Sequence, residues 1–165
     1  MFYLKMKYLA SILILINLTG ISCAKRSIVV TEEQIPTDLF YLDEQIKPFT
    51  GTCYVYYNNT KCLKEEMNYK KGILNGEHLS YYKNGNLKRK GSYNMGQMNG
   101  KWVVYDTGGN RIHEIEYKND TLSGNFMSWY PTGIIKVKGN YTNNRQTGNW
   151  VFYDEFGVIL SKVTL

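Results

Sequence analysis

Glu114 and Glu116, in "RIHEIEY", come closest in this chain to the residue types of a glycoside-cleaving acid/base pair. On a strand, alternate side chains share a face, so both carboxylates would point the same way. Adjacent carboxylates alone identify no active site, and an ordinary charged outer face is the preferred reading. The two histidines offer no base. His78 falls in a slot that aromatic rings fill elsewhere in the chain, and His113, beside Glu114, is expected in solvent. Cys53 and Cys62 flank "YVYYNNTK", where a hairpin turn would bring two strands together, so a structural disulfide competes evenly with two free thiols. Their spacing does not suit a zinc site, and no second ligand pair follows. Neither a nucleophile elbow, an H-E-x-x-H pair nor a phosphate-cradling glycine loop occurs. The expectation is therefore no catalytic residue, no metal, no cofactor and no enzyme.

Aromatic side chains are the better candidates. Trp102, Trp129 and Trp150, with Tyr105, Tyr130 and Tyr153, are suited to stack sugar rings or anchor a partner chain, and Lys136 and Lys138 would add charge. The competing reading is structural: these rings recur at a fixed interval, so their first task is to hold copies of a unit together.

That interval organises the chain. Gly51, Gly76, Gly100, Gly124 and Gly148 stand 25, 24, 24 and 24 residues apart. Two residues beyond each glycine come Cys53, His78, Trp102, Phe126 and Trp150. Five beyond come Tyr56, Tyr81, Tyr105, Trp129 and Tyr153. Nine beyond, four of the copies hold Gly85, Gly109, Gly133 and Gly157, and the first holds Thr60. Tyr93, Tyr117 and Tyr141 close the middle copies, with Tyr69 one residue late in the first. A recurring period of this length means an array. With 15 Tyr, 15 Gly and only 3 Pro, each copy reads as a hairpin. "GEHLSYY" is one strand, Asn84-Gly85 supplies turn chemistry, and "NLKRKGSY" returns. Up to ten strands at ~4.8 Å would extend roughly 45 Å. The aromatics two and five beyond the glycine differ by an odd number. Either both faces carry aromatic ladders, or a bulge brings the two rows together.

At "NGKWVVYDTGGNRIHEIEYKNDTLSGNFMSWYPTG" the chain resembles MORN-repeat proteins, in the bacterial variant whose unit is roughly G-x-W-x-x-Y, then N-G, then a closing tyrosine. Trp102/Tyr105, Phe126/Trp129 and Trp150/Tyr153 match the aromatic pair directly, His78/Tyr81 less closely. The resemblance implies an all-β fold: an elongated single antiparallel sheet of stacked hairpins spanning residues 49–165. It also implies lipid-head-group association. Bacterial members are often labelled YwqK-like antitoxins.

Residues 1–22 read as a signal peptide: Lys5 and Lys7 precede an apolar run from Leu9 to about Ile21, too short to span a bilayer. "TGISC" resembles a bacterial lipoprotein signal, which implies lipidation of Cys23 and attachment to a membrane through acyl chains. Residues 23–48 then form a tether and N-terminal cap, with an edge strand at "SIVV" and a capping segment around Leu39–Leu42. The +6 net charge is spread among acids, with one cluster, Lys88–Lys90, read as a solvated strand edge. No nucleic-acid recognition motif appears.

The sequence thus predicts a non-enzymatic, membrane-anchored repeat module of a bacterial cell envelope, facing the periplasm and binding a protein or an envelope polymer. Two alternatives stay open: a toxin-neutralising protein, and an envelope carbohydrate-active enzyme using Glu114 and Glu116.

Overall fold

The computed structural model describes residues 26–31 and 48–165; the signal segment, Cys23 and Leu39–Leu42 lie outside the described residues. Eleven strands follow one another in a single sheet whose spatial order is the chain order. They are β1 (Arg26–Thr31), β2 (Gly51–Tyr56), β3 (Leu63–Lys70), β4 (Ile73–Tyr81), β5 (Leu87–Asn94), β6 (Gln97–Tyr105), β7 (Arg111–Lys118), β8 (Thr121–Trp129), β9 (Ile135–Thr142), β10 (Arg145–Tyr153) and β11 (Ile159–Thr164). From β2 to β11 every neighbour is antiparallel, two strands to each copy of the repeat. The edge strand at "SIVV", which precedes the repeats, lies parallel to β2, with Arg26 opposite Gly51. A parallel return needs a connection of about a dozen residues or more, and the chain between Thr31 and Gly51 supplies that length.

Two kinds of turn alternate. Lys71-Gly72, Met95-Gly96, Asn119-Asp120 and Asn143-Asn144 have positive φ at both residues. This is the two-residue hairpin loop whose twist matches that of the flanking strands. These turns also tie the copies together: Gly96 N–H donates to Leu74 O at 2.8 Å, Asp120 N–H to Met98 O at 3.0 Å, and Asn144 N–H to Leu122 O at 3.0 Å. At the opposite edge, Gly85 N–H donates to Tyr82 O and Tyr82 N–H to Asn86 O, with φ of 89° at Gly85. That three-residue loop with a left-handed glycine recurs at Gly109, Gly133 and Gly157. In the first copy Tyr57 N–H reaches on to Cys62 O, and the positive φ falls at Asn59. This loop is one residue longer, so Tyr69 arrives late yet still stands opposite Gly51, as Tyr93 stands opposite Gly76.

Of the two arrangements the odd spacing allowed, the structure has aromatic ladders on both faces. The register slips between Val104 and Tyr105, which pair with His113 and Arg111. The extra residue, Ile112, therefore sits on the return strand; β6 bulges only before Trp102, near Gly100, so alternation from Trp102 to Tyr105 is unbroken. One face, here the inner face, carries a row of rings. His78, Tyr93 and Trp102 contact one another at centroid distances of 5.2 to 5.9 Å, and Phe126, Tyr141 and Trp150 at 5.2 to 5.9 Å. Trp102 and Trp150 are only 1% and 2% exposed. A single sheet can bury an indole this deeply because Gly91 and Gly139 on the preceding strands leave the space each ring occupies; a Cβ at either would fall inside the indole. Burying one such ring contributes roughly 4–6 kcal/mol of gross transfer free energy. At the N-terminal end the row continues into a cluster of Phe49, Cys53, Val55, Met67 and Tyr69.

Candidate functional site

The outer face is built from the rings five residues beyond each glycine. Tyr81, Tyr105, Trp129 and Tyr153 end β4, β6, β8 and β10 and are all half-buried. They recur on every second strand, hence roughly 9.6 Å apart at ~4.8 Å per strand. In the C-terminal half the return strands place cations over them. The Arg111 guanidinium lies 4.6 Å from the centre of the Trp129 ring, and Lys138 Nζ lies 5.6 Å from that of Tyr153. Such contacts contribute about 0.5–1 kcal/mol at exposed sites. Towards the middle the cations are paired instead: Lys90 with Glu77 at 2.6 Å and Lys101 with Glu114 at 2.7 Å. Each glutamate holds its lysine's pKa above the ordinary value, first through the hydrogen bond and then through charge.

The long-turn edge has its own chemistry. Tyr57, Tyr82 and Tyr130 donate their hydroxyls to the carbonyls of Tyr81, Tyr105 and Tyr153 in the following copy, at 2.7 to 2.9 Å. The bulged residue of the same hairpin is then lysine: Lys64, Lys88 and Lys136 lie 5.4 to 5.8 Å from those ring centres. Where that tyrosine is replaced by Asp106 or Asp154, the carboxylate accepts hydrogen bonds from its own turn. Ile112 and Leu160 then occupy the bulge. In Asp106 these bonds, those from Asn110 foremost, pull the carboxyl pKa below its usual range.

The eight residues proposed from sequence therefore separate. Tyr105, Trp129, Tyr153 and Lys138 share the outer face, and Tyr130 and Lys136 stand at the turn edge beside it. Trp102 and Trp150 are corrected as contact residues: they lie on the inner face, packed over glycine and almost fully enclosed. Arg111 belongs with the outer group and was missed. The signal available was its place two residues after the long turn that follows Tyr105.

Three other expectations change. Cys53 and Cys62 are both free. Cys62 O accepts the N–H of Tyr57 just beyond β2, four residues on from Cys53, or roughly 13 Å of extended chain, whereas a disulfide needs Cα atoms within about 7 Å. Burial pushes the Cys53 thiol up to about 12. His113 is half-buried, not solvated, and burial lowers its pKa. Glu114 is buried against Lys101, while Glu116 accepts the Asn125 N–H at 3.1 Å. Both carboxylates are committed to holding strands. His78 packs as expected, enclosed by Tyr93 and Trp102, with Nε2 3.2 Å from Glu65.

Each hairpin of the middle of the sheet is thus one turn-to-turn unit with the same glycine, ring and tyrosine slots. Three consecutive segments match the MORN repeat variant: residues 74–95, 98–119 and 122–143. These segments are the hairpins β4–β5, β6–β7 and β8–β9, so the matched MORN unit is the structural unit. The hairpins β2–β3 and β10–β11 repeat its geometry on either side of the matched residues. MORN repeats are generally non-catalytic binding or scaffold modules. No curated protein matches the chain.

Proposed function

We propose that this chain is a non-enzymatic scaffold, anchored in a bacterial cell envelope by a lipid on Cys23, whose outer sheet face binds a protein or envelope-polymer partner. The observation that carries the reading is the pair of cation-capped rings on consecutive copies, Arg111 on Trp129 and Lys138 on Tyr153. Aromatic and arginine side chains concentrate the binding energy of interfaces, and here an ordered backbone presents them at a regular interval. On the inner face the two indoles are enclosed, whereas the outer rings stay half-buried and open to contact. Cross-linked pull-down from native membranes, comparing the natural chain with a Trp129→Ala/Tyr153→Ala variant of unchanged circular dichroism, tests the surface. Identical partner recovery from both would reject it. Membrane fractionation of Cys23→Ala tests the anchor separately, and unchanged membrane association would remove it.

A further inference from the structure

On the outer face of the last four copies, the residue one place beyond the repeat glycine lies diagonally across from the residue fourteen beyond it. In the middle copies that pair settles its own charge: Glu77 binds Lys90 at 2.6 Å, and Lys101 binds Glu114 at 2.7 Å. In the next two copies the first slot holds Asn125 and Asn149, while the second holds Lys138 and Lys162. Both lysines are exposed, and β8 to β11 contain no acidic residue. The acids of that region, Asp154 and Glu155, lie in the turn after β10. Arg111 departs from the repeat in the same direction. The residue opposite the outer ring is Leu63, Leu87, Ile135 or Ile159 in the other copies, and here it is a cation. The fold thus accepts an aliphatic side chain in the place of Arg111, and an acid, Glu114, in the place of Lys138.

Arg111, Lys138 and Lys162 stand on β7, β9 and β11, each two strands from the next, or roughly 9.6 Å at ~4.8 Å per strand. Among the described residues no carboxylate pairs with any of the three. Rings hold the first two instead, Trp129 on β8 and Tyr153 on β10, which keeps their head groups at the same two-strand interval. A ring steadies a cation without cancelling its charge, so its donors stay available. Whatever answers these charges must lie across the strands as an extended chain with one anion at every second strand. An acidic peptide in strand form fits poorly, because its same-face side chains recur at ~6.8 or ~13.6 Å. A glycan fits better. One pyranose is about as long as the gap between neighbouring strands, and alternate sugars of a β-linked chain face the same way. One carboxylate per disaccharide therefore falls at the two-strand interval.

Resting on the outer-face reading above, we infer that β7 to β11 bind an acidic polysaccharide with one carboxylate per disaccharide, laid across the strands on Arg111, Lys138 and Lys162. Fluorescence anisotropy of labelled hyaluronan chains, titrated with the detergent-solubilised full chain, tests this. Saturable binding is expected, weakening as salt rises. Arg111→Ile should weaken it about fivefold, and the charge reversal Lys138→Glu more. Both substitutions copy residues that other repeats hold in the same slots, so circular dichroism should not change. Unlabelled poly-glutamate should compete less well than unlabelled hyaluronan, and chitin oligosaccharides, similarly spaced but without carboxylates, should not compete. The inference is overturned by constant anisotropy or by unchanged affinity in both variants. It is also overturned if poly-glutamate competes as well as hyaluronan, which would indicate an acidic protein partner, or if chitin oligosaccharides compete. A partner recovered from membranes through Trp129 and Tyr153, with constant anisotropy, would overturn this inference alone and leave the outer-face reading in place.

Discussion

Replacing Gly91 by alanine isolates the contact that lets one sheet bury a tryptophan. Gly91 lies within β5 opposite His78, outside the left-handed region, so backbone entropy alone would favour alanine by about 0.5–1 kcal/mol. The added Cβ, however, falls among Cδ2, Cε2 and Cε3 of Trp102. The indole must leave a site where it is 1% exposed, in contact with Tyr93 at 5.2 Å and His78 at 5.9 Å. Complete truncation of a buried Trp costs about 3–5 kcal/mol. A displaced ring keeps part of its burial, so the net expectation is roughly 2–4 kcal/mol of destabilisation. In a Trp102→Leu background the obstacle is smaller, and Gly91→Ala should become neutral or stabilising by ~0.5 kcal/mol. The coupling, about 3 kcal/mol, lies at the top of the range for touching residues. Urea unfolding, followed by circular dichroism and by fluorescence, measures it, with a two-state fit where the two transitions coincide. Gly85→Ala serves as the control. Nothing lies within 4 Å of its Cβ, but φ is 89°, so about 1–3 kcal/mol of backbone strain should appear in both backgrounds. An equal cost of Gly91→Ala with and without Trp102 would refute the packing argument.

Tyr130→Phe removes the 2.9 Å bond to the Tyr153 carbonyl and should cost about 1 kcal/mol in urea unfolding; an unchanged midpoint would show that bond to be idle. In native protein at pH 8, iodoacetamide should modify the exposed Cys62 and spare the buried Cys53 until urea is added; peptide mass spectrometry reads both sites, and equal labelling would contradict the burial. Beside the exposed Asp106, two depressed pKa values of partly buried groups set the acid response. The Glu65 carboxyl lies below its ordinary 4.5, chiefly through the His78 hydrogen bond, and the His113 imidazole lies below its ordinary 6.5 through burial. Each contribution is complete above the ordinary value and is lost as pH falls through the lower folded one. Loss of stability should therefore begin just below pH 6.5 and steepen below 4.5, and His113→Gln should flatten the first phase and Glu65→Gln the second in a pH series of unfolding midpoints.

The array was legible because its period rests on residues with strong local meaning: glycines at turns, and rings at strand positions. The short turns were less so. Lys71-Gly72, Met95-Gly96 and Asn119-Asp120 share a backbone conformation but little composition, since strand pairing on both sides imposes it. The parallel pairing of β1 is long-range, so no local pattern announces it. Trp102 and Trp150 looked like contact residues because the reason for their burial lies elsewhere in the chain. Each sits over a glycine eleven positions earlier, Gly91 or Gly139, and that equal spacing was the usable clue. The cysteines misled because flanking a turn differs from facing across it: Cys53 stands opposite Met67, and Cys62 beside the loop.

The alternation of turn chemistries also sets how such a molecule can change length. Hairpins with Tyr82 and Tyr130 carry Lys88 and Lys136 at the bulge and end in Gly91 and Gly139; those with Asp106 and Asp154 begin with Trp102 and Trp150. The two kinds exchange parts: the first gives the one after it a bare glycine for its indole, and receives from it a carbonyl for its phenol. Loss of the Tyr130 hairpin alone would set Trp150 against Ile115, the residue in the Gly139 slot one copy earlier, whereas exchange of two hairpins together joins like to like. The sheet is a ruler graduated in four strands, about 19 Å.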